Sequence, residues 1–304
     1  GVNTFRRHFL RKNATHMSDQ KVAVVTGAST GFGFETATKL ARDGYRVFGT
    51  ARDLSGRNAD AKRKLENAGV TVVELDVTDQ GSVDRGAAQI LELAGRVDVL
   101  VNNAGTAHMG TFEAFTPESV ERQFATNVIG PVRINRAFLP GMRERKSGLI
   151  VFVSSVVGRV VIPFIGVYTA SKWALEAMAE SLSYELRPFG VDVAIVEPGA
   201  YATNIFNVVI GPDDAARLNS YGEVGKTFDA IGAGLAESAG HPSEIGDAIL
   251  AIANAPAGRR PLRTVVPAGS PAEAINAAVA PIQRGTLEAF GLNAFLAPEL
   301  EPVG

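Results

Sequence analysis

The chain has 304 residues, 46% hydrophobic and 20% charged, an ordinary globular composition with enough apolar residues for one large core. A formal net charge of −2 gives no electrostatic reason to expect nucleic acid or an anionic membrane as partner, which leaves small molecules or further copies of the chain. With no cysteine there is no disulfide framework and no thiolate chemistry; His8, His16, His108 and His241 show no metal-ligand spacing, and no apolar run approaches the ~20 residues of a membrane-spanning helix, so a cytoplasmic, metal-free protein is expected.

Residues 1–16 are basic and contain no acid. A transit peptide and translated vector sequence both fit, and the His16-Met17 pair, which a common cloning junction encodes, favours cloning-derived sequence. From residue 17 to 304 a single domain is expected, because no Pro/Gly/Ser linker divides residues 18 to 256. Short β-branched runs alternate with longer helical stretches from Lys21 onward, the pattern of repeated βαβ units. The strands expected are 22–26, 46–50, 71–75, 97–101, 149–154, 192–196 and 263–266, with helices at about 31–43, 58–68, 79–94, 117–140 and 167–187. Right-handed crossovers then give an α/β fold: a single Rossmann-type, doubly wound parallel sheet of about seven strands with helices on both faces. After the sixth strand the regularity fails, and residues 198–228 read as a substrate loop.

Directly after the first strand comes Thr26-Gly27-Ala28-Ser29-Thr30-Gly31-Phe32-Gly33, leading into a helix. Strand, glycine turn and helix stand in the order a dinucleotide needs. Gly27 permits the tight turn, Gly31 lets the backbone approach a pyrophosphate, and Gly33 allows close helix packing, while the helix N-terminus offers amide donors to the anion. A plain glycine turn is the bland alternative.

The spacing GxxxGxG, rather than GxGxxG, resembles the short-chain dehydrogenase/reductase family, and further motifs of that family follow in order. These are Asn102-Asn103-Ala104-Gly105 after the fourth strand, Asn127 in the next helix, Ser155 at the end of the fifth strand, Tyr168-Thr169-Ala170-Ser171-Lys172, Pro198-Gly199, and Thr203. The resemblance is close over residues 21–200 and loose beyond. It implies a hydride transfer between a nicotinamide and a ketone, aldehyde or secondary alcohol, with Tyr168 as proton donor and acceptor.

A free phenol with pKa near ~10 is a poor base at neutral pH and needs a cation beside it. Lys172, four residues on, shares its helical face. Ser155 can donate to the developing oxyanion, with Ser154 as the competing assignment. By resemblance, Asn127 anchors a water that passes protons between Lys172 and solvent. The stretch Asn103, Ala104 and Gly105 supports the sheet and the adenosine ribose; Asp76 and Val77 contact the adenine, unless Asp76 merely caps a helix. Pro198 and Gly199 carry the chain around the nicotinamide, and Thr203 bonds its carboxamide. His108, near the expected substrate mouth, reads as a loop histidine more readily than a catalytic one.

NADP(H) is the expected cofactor. An NAD enzyme usually places an acid at the end of the second strand to bond the ribose 2′-hydroxyl, and Ala51 stands there. Arg52 can clamp a 2′-phosphate with Ser29 and Thr30 adding hydroxyls, or can be an ordinary surface arginine. Apolar residues 160–165, and Ile205, Phe206, Val208, Val209 and Ile210, suggest a bulky apolar substrate, unless 205–210 form an ordinary helix packed on the sheet. A homodimer or homotetramer is implied by the family, through the two long helices carrying Phe124, Val128, Leu175 and Leu182; core packing is the alternative for each. A non-catalytic NADP-binding regulator and an epimerase or dehydratase of a related family are the rival functions. The regulator commonly loses the tyrosine or lysine, and the epimerase class carries TGxxGxxG with a longer C-terminal domain.

Overall fold

The computed structural model describes residues 20–201, 209–224 and 240–296. Thr203, Ile205, Phe206 and Val208, with much of the 198–228 loop and all of residues 1–16, lie outside the described residues. Strands β1 (Val22–Thr26), β2 (Arg46–Ala51), β3 (Thr71–Glu74), β4 (Val99–Asn102), β5 (Gly148–Val153), β6 (Val191–Pro198) and β7 (Arg263–Val266) form one parallel sheet in the order β3-β2-β1-β4-β5-β6-β7. The expected α/β fold and its seven strands are therefore present, with ends shifted by one or two residues.

Both sheet faces are covered, which is why the central strands β1, β4 and β5 are apolar along most of their length. Val22 and Val24 of β1 face a core with α3 (Gln80–Ala94), α5 (Gly130–Arg145) and α6 (Gly166–Leu186), through residues such as Ile90, Phe138 and Leu175. Ala23 and Val25 face the other core, with α1 (Gly31–Arg42), α2 (Ala59–Asn67) and α8 (Ser243–Asn254), through Leu40, Leu65 and Ile249. The side-chain alternation of a strand divides β1 between the two layers. Leu175 lies in the first core and Leu182 packs against it, so these two serve the core as the alternative had it, and Val128 is buried as well.

The sequence pattern misplaces some helices. Residues 117–140 are not one regular helix: α4 (Pro117–Phe124) passes through a π turn at Ala125–Ile129 before α5. The Gly130 N–H reaches Ala125 O, five residues back, and Asn127 sits inside the turn. Beyond β6, α7 (Ala215–Ser220), α8 and α9 (Pro271–Ala289) were not anticipated. Strand order reverses at β1, whose neighbours are β2 and β4, and this opens a crevice at the strands' C-terminal ends.

Candidate cofactor and catalytic site

The turn after β1 is held by hydrogen bonds rather than left loose. Thr26 Oγ1 accepts from the N–H groups of Asn103 (3.0 Å) and Ala104 (3.1 Å), while Asn103 Nδ2 donates to Thr26 O at 2.9 Å and Gly27 O at 3.2 Å. Asn103 thus braces the glycine loop directly, a role more specific than the general sheet support expected of it. Gly27 (φ 66°) and Gly31 (φ 54°) occupy the left-handed region, where a side chain is strained. At Gly33 a methyl would collide with Gly27 O and the Asn103 amide, so this glycine serves loop closure as much as helix packing.

A cleft of about 500 Å³ runs from this loop across the strand ends. Its walls include Gly27, Ser29, Thr30, Gly31 and Phe32, then Arg52, Asp76 and Val77, then Asn103, Ala104 and Gly105, then Tyr168 and Lys172. Gly33, Pro198 and Gly199 stand behind the walls, and Gly199 donates to Val266 O at 2.7 Å. Ile210, expected as a pocket residue, lines the cleft, and so do Arg57, Asn58, Thr78, Thr106 and Thr126, which the sequence did not point to. The polar run after Arg52 was the available signal for Arg57 and Asn58: Asn58 Nδ2 donates to Arg52 O at 2.6 Å and folds that loop back.

Asp76 is not a helix cap. Its Oδ1 accepts from the backbone and hydroxyl of Thr78 (2.8 and 2.7 Å), while Asp79 caps α3 through Ser82 N. Burial pushes the Asp76 carboxyl upward, but the Thr78 bonds and Arg52, 3.5 Å away, outweigh it and leave the pKa below the ordinary value.

At the other end of the cleft, Tyr168 and Lys172 lie on the first turns of α6, and both are buried. Burial pushes the phenol up to about 12, against a downward pull from its hydrogen bond with Ser155. Lys172 Nζ lies 5.6 Å from the Tyr168 ring centroid and donates to Val153 O at 2.8 Å. Burial lowers the lysine to about 8, and the charge of Glu176 works in the opposite direction. The two side chains are brought together as the four-residue spacing requires, but burial outweighs the depression expected of the phenol. Ser155 Oγ also accepts from Val157 N and donates to Pro198 O at 3.4 Å; Ser154 lines the cleft, with its buried Oγ unpartnered.

Asn127 lies behind the cleft. Its Oδ1 accepts from Thr106 N (2.9 Å), and its Nδ2 donates to Thr106 O (3.0 Å) and Ser171 Oγ (3.1 Å). The side chain therefore locks the Thr106 wall to α6. His108 is buried too: Gln123 Oε1 lies 2.6 Å from Nδ1 and accepts the His108 N–H, while Gln123 Nε2 donates to Thr106 O. This is a packed histidine rather than a free loop side chain. Just before Tyr168, Phe164 takes φ 66°, a costly conformation for a bulky residue, fixed by Gly110 N donating to its carbonyl at 2.6 Å.

Residues 21–210 match the family model for the short chain dehydrogenases. This chain belongs to that family. Among its curated relatives, an uncharacterised oxidoreductase, YusZ of Bacillus subtilis, is 36% identical over 77% of this chain and 85% of its own length. Human 17-beta-hydroxysteroid dehydrogenase type 1 is 36% identical over 77% of this chain and 74% of its own. A short-chain dehydrogenase from Streptomyces avermitilis superposes with TM-score 0.73 at 35% identity, over 90% of this chain and 96% of its own. An alcohol dehydrogenase from Thermococcus sibiricus, solved with 5-hydroxy-NADP, gives 0.66 at 29% identity over 82% and 96%. A short-chain dehydrogenase/reductase from Burkholderia phymatum, solved with NAD, gives 0.71 at 26% identity over 94% and 98%.

The chain is thus an oxidoreductase of the short-chain dehydrogenase family, whose fold binds a nicotinamide cofactor. The cradle in this short-chain dehydrogenase fits such a group: two left-handed glycines and a helix N-terminus present backbone at the loop, and a third glycine leaves no room for a methyl. Among the described residues, no helix is long and apolar enough to cross a membrane.

Proposed function

We propose that the chain is an NADP-dependent enzyme interconverting a bulky, largely apolar ketone and its secondary alcohol, with Tyr168 as proton donor and acceptor. The observation that carries this reading is the placement of Tyr168 and Lys172 at one end of the cleft whose other end is the glycine loop. Bound nicotinamide supplies or accepts the hydride. The chain's part is the proton. A phenol held near 12 is protonated at neutral pH, as carbonyl reduction requires, and Ser155 is the second donor to the oxygen that gains charge. The reverse reaction needs the phenol to lose that proton, and Lys172, buried beside the ring and charged below about 8, is the cation that favours the loss. Asn127 fixes Thr106 and, through Ser171, the start of α6.

The preference for NADP is supported by the end of β2, where Ala51 and Arg52 stand with Arg57 nearby and no acid follows the strand directly. Relatives of this fold have been solved with either dinucleotide, so the preference is read from these residues and not from the fold. An apolar substrate is supported by Ile210 in the cleft wall, by residues 160–165 leading to Tyr168, and by the relative named for a hydroxysteroid. Self-association belongs to the same reading, with Ile129, Trp173 and Met178 exposed along the helices expected to pair. Light scattering at micromolar concentration tests it, and a monomer mass refutes it.

Initial rates on ketones graded by hydrophobic size, each with NADPH and NADH, test the enzyme reading. Efficiency rising with size and higher with NADPH is expected. Equal or better turnover with NADH overturns the cofactor preference, and efficiency that stays flat or falls with size overturns the apolar pocket.

A further inference from the structure

Behind Lys172 lies a cluster of buried charge that the proton transfer just described does not use. Glu176, one helical turn beyond Lys172, and Glu197 on β6 are both buried, and Glu197 has no exposed surface. Arg263 of β7 reaches both carboxylates, with Nε 2.9 Å from Glu176 Oε2 and 3.3 Å from Glu197 Oε1, and its Nη2 lies 2.6 Å from Glu180 Oε2. From α9, Asn276 Nδ2 donates to Glu197 Oε2 at 2.7 Å. The charged and titratable groups around Glu176 are therefore Lys172, Glu180 and, through Glu180, Tyr184 on α6; Arg159, just after a 3-10 turn at Val156–Gly158; Glu197 on β6; and Arg263 on β7.

One oxygen of Glu176 is left over. Oε1 is buried with no hydrogen-bond partner. A methyl on Gly158 would stand 3.4 Å from this oxygen and 2.8 Å from Ser154 Oγ, so Glu176 Oε1 and the unpartnered Ser154 hydroxyl border one spot behind the cleft wall. Arg263 thus pairs with the carboxylate through Oε2, while Oε1 lies beside the cleft wall with no hydrogen-bond partner. A carboxylate so placed in a low-dielectric interior acts on a buried ammonium one turn away with little screening.

We propose that Glu176 is a positioning residue for the proton transfer: its buried carboxylate, fixed from behind by Arg263, supplies the negative potential that keeps Lys172 charged beside Tyr168. This rests on the reading of Lys172 as the cation of the phenol. Without Glu176, burial alone acts on the lysine, and it loses its proton closer to neutral pH.

The test is a titration of the eight lysines of the intact protein by NMR of their ε-carbons, with the Lys172 signal identified from its absence in Lys172→Arg. In Glu176→Gln the Lys172 midpoint falls by about 1 unit or more. That variant leaves Arg263 paired with Glu180 and Glu197 and removes a like-charge neighbour, so it folds. Glu197→Gln, which disturbs the same cluster without touching the charge next to Lys172, moves the midpoint by less than half as much. An unchanged midpoint in Glu176→Gln, or an equal fall in Glu197→Gln, overturns the proposal. Kinetics give a second readout: in Glu176→Gln the alkaline limb of turnover moves down with the lysine midpoint while the rate at pH 6 is kept, and a uniform loss at every pH would mark a merely structural role and overturn it. If the parent protein turns over no carbonyl while the midpoint still falls, the enzyme reading fails and the electrostatic one stands.

Discussion

The two ends of the sheet solve different problems with different materials. On the β3-β2-β1 side the cleft is built from backbone: Gly27 and Gly31 in left-handed turns, the Thr26 hydroxyl bridging two N–H groups, and the Asn103 amide on two carbonyls. On the β5-β6-β7 side it is built around ionisable side chains, and among the described residues the buried ammonium and carboxylates, Lys172, Glu176 and Glu197, lie there. Backbone dipoles carry no net charge and are indifferent to pH, whereas a buried charge costs stability and titrates. Holding of a pyrophosphate at the glycine loop is therefore expected to be insensitive to pH, and the catalytic end to carry most of the molecule's pH dependence and much of its instability.

The sharpest way to separate the two ends is Tyr168→Phe, which removes one hydroxyl from the charged side. Turnover is expected to fall by at least ~10²- to 10⁴-fold while NADPH binding, followed by fluorescence titration, stays near normal. Parallel loss of both would mean the two ends are not separable.

Lys172→Met tests the cost of charge. The lysine is charged up to 10.5 in the unfolded chain but only up to about 8 when folded, so the folded state binds fewer protons between these values and stability rises with pH there. The variant is expected to lose activity yet gain stability at pH 7, by as much as ~3 kcal/mol, the gap closing towards pH 10.5; urea denaturation across that range checks it. From the other side, Gly33→Ala should weaken NADPH binding and cost about 1–3 kcal/mol of stability through the crowded Gly27 carbonyl, with no pH dependence to either effect. Calorimetry at pH 6 and pH 9 decides whether that independence holds.

Glu197→Gln should give the smallest effect. Burial, then the charge of Glu176, pushes the Glu197 carboxyl up to about 7 from an unfolded value of 4.5. The folded state thus holds an extra proton in that window, and stability falls as pH rises through it. Gln is expected to stabilise above pH 7 by roughly 1 kcal/mol or more, the advantage vanishing near pH 4.5. Equal stabilisation at both ends of the range would count against a titrating carboxylate.

The backbone-built end was largely legible in the sequence and the charged end only partly. Val22 to Thr26 followed by Gly27, Gly31 and Gly33 encodes a strand and a turn that only glycine tolerates, so position and role are written in residue type. Tyr168 and Lys172 were legible as a helical pair, because four residues make one turn. The cluster behind them was not, since residues 176, 197, 263 and 276 meet only through the order of β6, β7 and α9. Nor did periodicity reveal helix α8, although SEIGDAILAIAN carries buried Ile245, Ile249 and Ile252 at helical spacing. Arg57 stands in a polar run whose composition is also that of an ordinary connection, so residue type alone does not place it in the cleft.

The π turn at Ala125–Ile129 sets a rule for how this stretch of chain can vary in length. Gln123 and Asn127 grip the same Thr106 carbonyl before and within the turn, while Asn135, Phe138 and Met142 must face the interior after it. One residue more or less rotates everything downstream by about 100°. Losing a single codon here would turn the irregular stretch into an unbroken α-helix, and either the grip on Thr106 or the buried stripe of α5 would swing out of phase. A one-residue gap in this segment of a homologue is therefore a change in how the active-site wall is anchored, unlike a gap of the same size in the loop after α2.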